Sequence, residues 1–388
     1  MTNAVIVDAV RTPVAKGKPN GAYAQIHPVD LHSHVLRALI DRTGIDPAQV
    51  DDVISGAVGQ VGEQSGDTAR WALLGAGFPE SVPGVTVDRQ CGSSQQALHF
   101  AAQGVMAGAY DLVIASGIES MSHVPIGSQS IGKDFAGPSV TARYRNGLVP
   151  QGISAELIAD KWNLSRRELD EFAAESHRRA AAAWKDGHFD SQVAIVNGLT
   201  IDETIRPDTT VETLAGLRLA FKSDYWVRRY PQLEWKVTAG NSSPVNDGSA
   251  AILVASESTA SRLGLAPRAR VHSFAVTGDD PVLMLTGIIP ATRKVLDRAG
   301  LTADDIDLFE VNEAFASVVL AWHKELGVPL DKVNVDGGAT AIGHPLGASG
   351  ARLMTTLLNA LERTGGRYGL QVMCEAGGQA NATIIERL

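Results

Sequence analysis

A chain of 388 residues, 44% of them hydrophobic, is long enough for two or three domains and a sizeable core. Its 34 Lys and Arg against 43 Asp and Glu make it acidic, which excludes a general nucleic-acid or membrane-surface binder. Two cysteines are a poor disulfide framework and fit a reducing, cytoplasmic setting. No CxxC or HExxH occurs, so no metal is expected, and no segment has the apolar length of a membrane helix.

In chain order, Met1 to Asp8 reads as a first strand rather than a signal peptide. His32 and His34 lie two apart on a predicted helix, share no face, and read as surface or partly buried side chains. Asp46-Pro47-Ala48-Gln49 is a helix-start signal before the strand-like run Val53 to Val58. Val85 to Asp88 reads as a strand, Cys91-Gly92-Ser93-Ser94 as a turn, and the spacing of Ala97, Leu98, Ala101, Ala102, Val105 and Met106 as a helix with one buried face. Asp111 to Ala115 closes this unit as a strand.

The plan then recurs. Thr302 to Asp305 precedes Ile306 to Val311, and Val333 to Asp336 matches Val85 to Asp88 as a strand. A small-residue loop follows, then a helix with Leu353, Leu357, Leu358 and Leu361, then the strand Gly369 to Met373. Alternating strands and helices predict an α/β architecture with mainly parallel pairing, and the repeat predicts two similar domains about a pseudo-twofold axis. The middle, Ser120 to Asn246, breaks the repeat. It holds a capping box, Ser165-Arg166-Arg167-Glu168, opening a helix to Asp186 that Gly187 stops. It also carries Arg143, Arg145, Arg206, Arg218, Lys222, Arg228 and Arg229, either a clamp for a phosphorylated ligand or a solvated face.

Four residues carry the candidate chemistry. Cys91 falls where a strand gives way to a helix, and helix amides there should favour its thiolate. His344, in a loop crowded with Gly337, Gly338, Gly343, Gly347 and Gly350, is placed to accept the Cys91 proton or to donate to an oxyanion. Cys374 ends a strand before a Gly-rich turn and is a second proton-handling group. Asn312, after the strand at Phe309 to Val311, can bind a carbonyl oxygen directly or through water. Taken singly, each has a plainer reading: a buried thiol, a loop histidine or a helix cap.

Taken together, Cys91-Gly-Ser-Ser, Thr238-Ala-Gly-Asn-Ser-Ser, Asn312-Glu-Ala-Phe-Ala, Gly343-His-Pro-Leu-Gly-Ala-Ser-Gly and the Cys374 segment resemble the thiolase family over nearly the whole chain. The resemblance implies two similar βαβαβαββ domains in a five-layer αβαβα arrangement. Residues 1–119 with 247–267 would form one domain, residues 268–388 the other, and residues 120–246 a loop domain covering coenzyme A. It implies CoA as co-substrate, no resident cofactor, and a homodimer or dimer of dimers, the tetramer contact falling near Ile126 to Phe135.

It also implies roles. Cys91 is the nucleophile, His344 activates it, and Cys374 is the acid/base. His344 with an Asn312-held water forms one oxyanion hole, and the amides of Cys91 and Ala376 form the other. Arg206 stacks on adenine, Ser243 meets the pantetheine arm, and Phe315 and Gln151 line the substrate site.

Departures from the family pattern carry expectations too. Glu375 and Ala376 follow Cys374 where Gly-rich residues are usual, and a Glu375 carboxylate is expected to raise the Cys374 pKa. Pro150-Gln151 replaces the His-Met pair of short-chain biosynthetic members, which implies a wider pocket. The overall look is that of thiolases of lipid and steroid breakdown. An acetoacetyl-CoA-forming acetyltransferase is the alternative within the family. An inactive acyl-CoA-binding or lipid-binding protein and a decarboxylating ketoacyl synthase lie outside it; the Cys, His, Cys set with Asn312 argues against both.

Overall fold

A computed structural model describes residues 2–145 and 147–388; the opening Met1 of the expected first strand lies outside them. Ten strands form one continuous sheet: β1 (Ala4–Arg11), β2 (Ala15–Lys16), β3 (Asp52–Gly56), β4 (Gly84–Val87), β5 (Leu112–Ser120), β6 (Asn246–Ser256), β7 (Ala269–Gly278), β8 (Leu308–Val311), β9 (Tyr368–Glu375) and β10 (Gln379–Arg387). The main order is β4-β3-β5-β6-β1-β7-β10-β9-β8. Within the sheet the two halves pair at Val5 opposite Arg270 and Ile6 opposite Ala269. Outward from that joint each half repeats the other: two antiparallel pairs (β1·β6·β5 and β7·β10·β9), then a parallel one (β5·β3 and β9·β8).

Helices fill three layers around the halves. Pro28–Thr43 and Thr68–Gly75 bury Leu36, Leu39 and Leu73 on one outer face. Ile288–Ala299 and Ala316–Leu326 bury Val295 and Trp322 on the other. Between the sheet halves, Ser93–Met106 and Ser349–Thr364 pack Leu98, Val105, Leu357 and Leu358 against residues of both, giving the αβαβα layering. β5 is buried along its whole length, as expected of a strand covered on both faces.

Several expectations need correction. Pairing is mainly antiparallel, not parallel: β6 returns between β1 and β5, and β9 turns tightly into β10 through Gly377 and Gly378 at φ +82° and +76°. Only the start of the Val333–Asp336 segment acts as a strand, as a single bridge from Val333 to Phe309. Asn334 turns to φ +47°, and its side chain accepts from the Val311 N–H (2.8 Å) and donates to the Val311 carbonyl (2.9 Å). A side-chain amide thus stands in for the missing ladder bonds. His32 is fully buried, joining Ser249 Oγ (2.8 Å) and Ser55 Oγ (2.9 Å), so it ties its helix to β6 and β3; His34 is partly buried. Asp46 caps only a short 3-10 turn, Pro47–Gln49. The capping box at Ser165 and the helix Arg166–Lys185, with Gly187 at φ +75° beyond it, follow the sequence pattern.

Candidate active site

Cys91 sits in a tight turn between β4 and the helix Ser93–Met106, two residues before the helix starts. Gln90 adopts φ +49°, the Gly92 N–H donates to Arg89 O (3.1 Å), and Ser93 Oγ accepts from the Arg89 N–H (2.9 Å). The thiol is buried against Leu353, Met373 and Leu346. The helix start was expected to favour the thiolate. Instead burial pushes the Cys91 pKa well up, with Cys374, Glu375 and Glu119 nearby adding to the effect. Loss of hydration outweighs the helix dipole, so Cys91 rests as a thiol and needs a base.

His344 is held as a neutral imidazole. Gly343 at φ +115° turns the chain, and the His344 N–H donates to Asn246 Oδ1 (2.9 Å). Ser349 Oγ lies 2.6 Å from Nδ1 and donates its own proton to Pro345 O (2.8 Å), so it accepts from Nδ1–H. That tautomer leaves a lone pair on Nε2. Burial, then the charge of Arg352, lowers the His344 pKa to about 3, so the ring is neutral at physiological pH.

Asn312 joins the remaining groups. It continues β8, its N–H donating to Val372 O (3.1 Å), and its side-chain Nδ2 lies 3.5 Å from His344 Nε2 and 3.9 Å from Cys374 Sγ. Its Oδ1 is buried with no protein partner. Cys374 is fully buried on β9; burial pushes its pKa up to about 12, against the Asn312 amide and the Ala314 N–H. Glu375 acts in the expected direction, adding to that rise behind burial, although its side chain points to the opposite face of β9. Ala376 opens the turn into β10 and lines a cavity with Gln90 and Gln379.

A separate cleft of about 670 Å³ holds Arg206, Ser243, Lys18 and His177. The Ser243 N–H donates to Ala314 O (3.0 Å), which fixes the cleft to the Asn312 segment. Phe315 bridges to Ser242 and meets Phe221 edge-on at 6.0 Å. Of the seven basic residues expected to form a clamp, only Arg206 lines this cleft; Arg229, for one, instead binds the Gly147 carbonyl and stacks on Trp226 and Tyr230. Gln151 lies elsewhere, in a cavity of about 80 Å³ at Cys91 with Met121, Val124 and Leu346.

Three supporting residues went unread in the sequence. Ser349 and Asn246 hold His344. Glu119, buried, accepts from the N–H groups of Val58, Gly59 and Gly347 and from Gln64, clasping the histidine loop to the first half. A carboxylate closing the apolar run of β5 was the available signal. Among the described residues no group of three His, Cys, Asp or Glu is placed to hold a metal, and no helix is long and apolar enough to cross a membrane.

Residues 4–258 match the N-terminal domain of thiolases and residues 265–387 the C-terminal domain. The chain is 51% identical to the steroid 3-ketoacyl-CoA thiolase FadA6 of Mycobacterium tuberculosis, over 100% of this chain and 95% of that protein. It is 46% identical to a 3-ketoacyl-CoA thiolase of Yersinia pestis over 100% of both. A crystal structure of the Bacillus anthracis acetyl-CoA acetyltransferase superposes with a TM-score of 0.88 at 38% identity, covering 100% of this chain and 99% of that one.

Proposed function

The chain belongs to the thiolase family of acyltransferases, and from that membership and the site's geometry we propose CoA-dependent thiolytic cleavage of a 3-oxoacyl-CoA in lipid or steroid breakdown. The observation that carries the reading is the Asn312 amide, in reach of both His344 Nε2 and Cys374 Sγ.

The Cys91 proton passes to the Nε2 lone pair of His344, and Cys91 sulfur attacks the 3-keto carbon. His344, now protonated, donates to the resulting oxyanion with a water held at Asn312. The Cα–Cβ bond breaks, and the Cys374 thiol protonates the leaving carbanion to give acetyl-CoA or a related acyl-CoA. Cys374, now thiolate, takes the proton of free CoA. The CoA sulfur attacks the acyl-enzyme thioester, whose oxyanion meets the amides of Cys91 and Ala376. Collapse expels the Cys91 thiolate, which takes its proton back from His344, and releases the shortened acyl-CoA. High resting pKa values suit both thiols, since neither is stranded as an unreactive buried anion.

The nucleotide of CoA occupies the Arg206 cleft, with its arm passing Ser243 towards Cys91. The acyl group occupies the cavity at Cys91 and continues past Gln90 and Gln129 into an adjoining cavity of about 460 Å³. That space supports bulky acyl groups, in keeping with the name of the 51% identical steroid thiolase. The open edge of β4, with Val85 and Trp71 exposed nearby, supports a homodimer, and exposed Ile126, Ile131 and Phe135 support a further contact. Two free cysteines support a reducing, cytoplasmic setting.

Thiolysis rates across 3-oxoacyl-CoAs from acetoacetyl to ring-bearing, with Cys91→Ala as blank, test the reading. Cleavage of long or ring-bearing substrates is expected. Activity confined to acetoacetyl-CoA would instead favour the condensing acetyltransferase, and no activity on any would sink the enzyme reading. Light scattering that returned a monomer would remove the dimer.

A further inference from the structure

Glu375 is the one carboxyl at this site without a partner. It alternates with Cys374 on β9, so its side chain leaves the acid/base thiol and lies against the nucleophile's turn. It is fully buried, and neither oxygen has a hydrogen-bond partner. The contact with Gly92 is close: a Cβ on Gly92 would fall 2.0 Å from Glu375 Oε1 and 2.9 Å from Asn381 Nδ2. Asn381 holds the same turn from β10, its Nδ2 donating to Gly92 O (2.9 Å), while its Oδ1 is also buried and unpartnered.

We propose that Glu375 is a positioning residue for the Cys91 turn: as the neutral acid it braces Gly92 without charge, and its ionisation suppresses the Cys91 thiolate. This rests on the reading of Cys91 as nucleophile.

An ionised, unpaired carboxylate in a dry site is costly, and the neutral acid removes that cost. The neutral acid also supplies an O–H donor in a place where Asn381 offers a free acceptor. The charged and titratable groups around it are few. Arg89 and Asp88 lie on the turn before Cys91; Arg89 donates from Nη1 to Gln379 Oε1 (3.1 Å), while its Nε is buried without a partner. Cys91 faces it from the turn, and Cys374 follows along the strand. Burial raises the Glu375 pKa to about 9, with Arg89 opposing and Asp88 adding. Glu375 is in turn one of the groups that push Cys91 up. Below that pH the turn carries no negative charge from Glu375. Above it, a carboxylate stands beside the sulfur that must become anionic.

Gly92 explains why the arrangement tolerates no bulk. A side chain there would occupy the carboxyl's place, so Gly92 and Glu375 are a matched pair.

Iodoacetamide labelling of Cys91, followed by peptide mass spectrometry from pH 7.5 to 10, tests the proposal in wild type and Glu375→Gln. The ratio of the rate at pH 10 to that at pH 7.5 should be about tenfold larger in Glu375→Gln, the equivalent of one pKa unit of coupling. Equal ratios, or a change of the same factor at every pH, would overturn it and leave the nucleophile intact. Cys91 unreactive throughout in wild type would overturn the nucleophile reading as well. Should Glu375→Gln fail to fold, carboxyl NMR of glutamate-labelled Glu310→Gln, which removes the other deeply buried glutamate whose pKa burial raises well above the usual range, gives the answer: one glutamate titrating near pH 9 is expected, and all titrating in the ordinary acidic range would overturn the proposal.

Discussion

In the first half of the molecule, β4 runs four residues beside β3 and delivers the chain into the Cys91 turn. In the second half, the same place beside β8 is held by Val333 alone, and the chain enters the His344 loop. Asn334 makes the difference, replacing ladder bonds with side-chain bonds to Val311. The two loops converge from corresponding positions with unlike cargo: a thiol on a rigid helix-start turn, and an imidazole held by Ser349 and Asn246. A repeated scaffold therefore builds an asymmetric site. The repeat brings the loops together; local side-chain contacts divide the roles.

Changes that erase the asymmetry should be the most damaging. His344→Ala removes the neutral imidazole placed in reach of Asn312, and kcat for thiolysis should fall about 10²–10⁴-fold, the range typical for a general base. Asn312→Ala leaves both His344 and Cys374 but unlinks them. A loss of about 10²–10³-fold in kcat, with KM little changed, is expected of a missing oxyanion donor. A KM effect alone would move Asn312 from the chemistry to substrate binding.

Asn334→Ala tests the scaffold side of the comparison. It leaves the buried N–H and C=O of Val311 unpaired and should cost about 1–3 kcal/mol by urea unfolding. A neutral result would mean β8 does not depend on that side chain. A fourth expectation concerns His32, which pins the first half's outer helix. Burial lowers its pKa to about 3 from an unfolded value near 6.5. The unfolded chain therefore takes up the proton first, so its contribution is intact above pH 6.5 and is lost as pH falls towards 3. Below pH 6 the stability should drop by about 1.4 kcal/mol per pH unit on its account. His32→Gln should flatten that slope, leaving the parts due to His99 and His344, which burial also lowers to about 3, and to His177, which it lowers to about 4.

The candidate groups were legible in the sequence because each lies beside a turn of small residues: Cys91 before Gly92, His344 after Gly343, Cys374 before Gly377. The paired plan of two similar halves was legible from the repeated strand and helix order, whereas the layering followed only from the family resemblance. Pairing direction was not, because β6 returns to β1 across more than 230 positions and nothing local in either strand signals it. Ser349 could be seen only as part of a motif, and Glu119 reaches Gly347 across 228 positions. The thiolate expectation at Cys91 failed for a physical reason. Sequence shows the helix start, whose dipole favours the anion, but not the burial that opposes it more strongly. Glu375 was legible in part: adjacency in sequence showed that its charge adds to the rise at Cys374, but not that strand alternation turns its side chain towards the Cys91 turn.

Two buried thiols with different tasks should carry different labels during turnover. Incubating the protein with a 3-oxoacyl-CoA in the absence of free CoA, quenching in acid and mapping the acylated peptide by mass spectrometry tests this directly. The acyl group should be on Cys91 alone, with Cys374 free. Acyl on Cys374, or equal labelling of both, would contradict the division of roles.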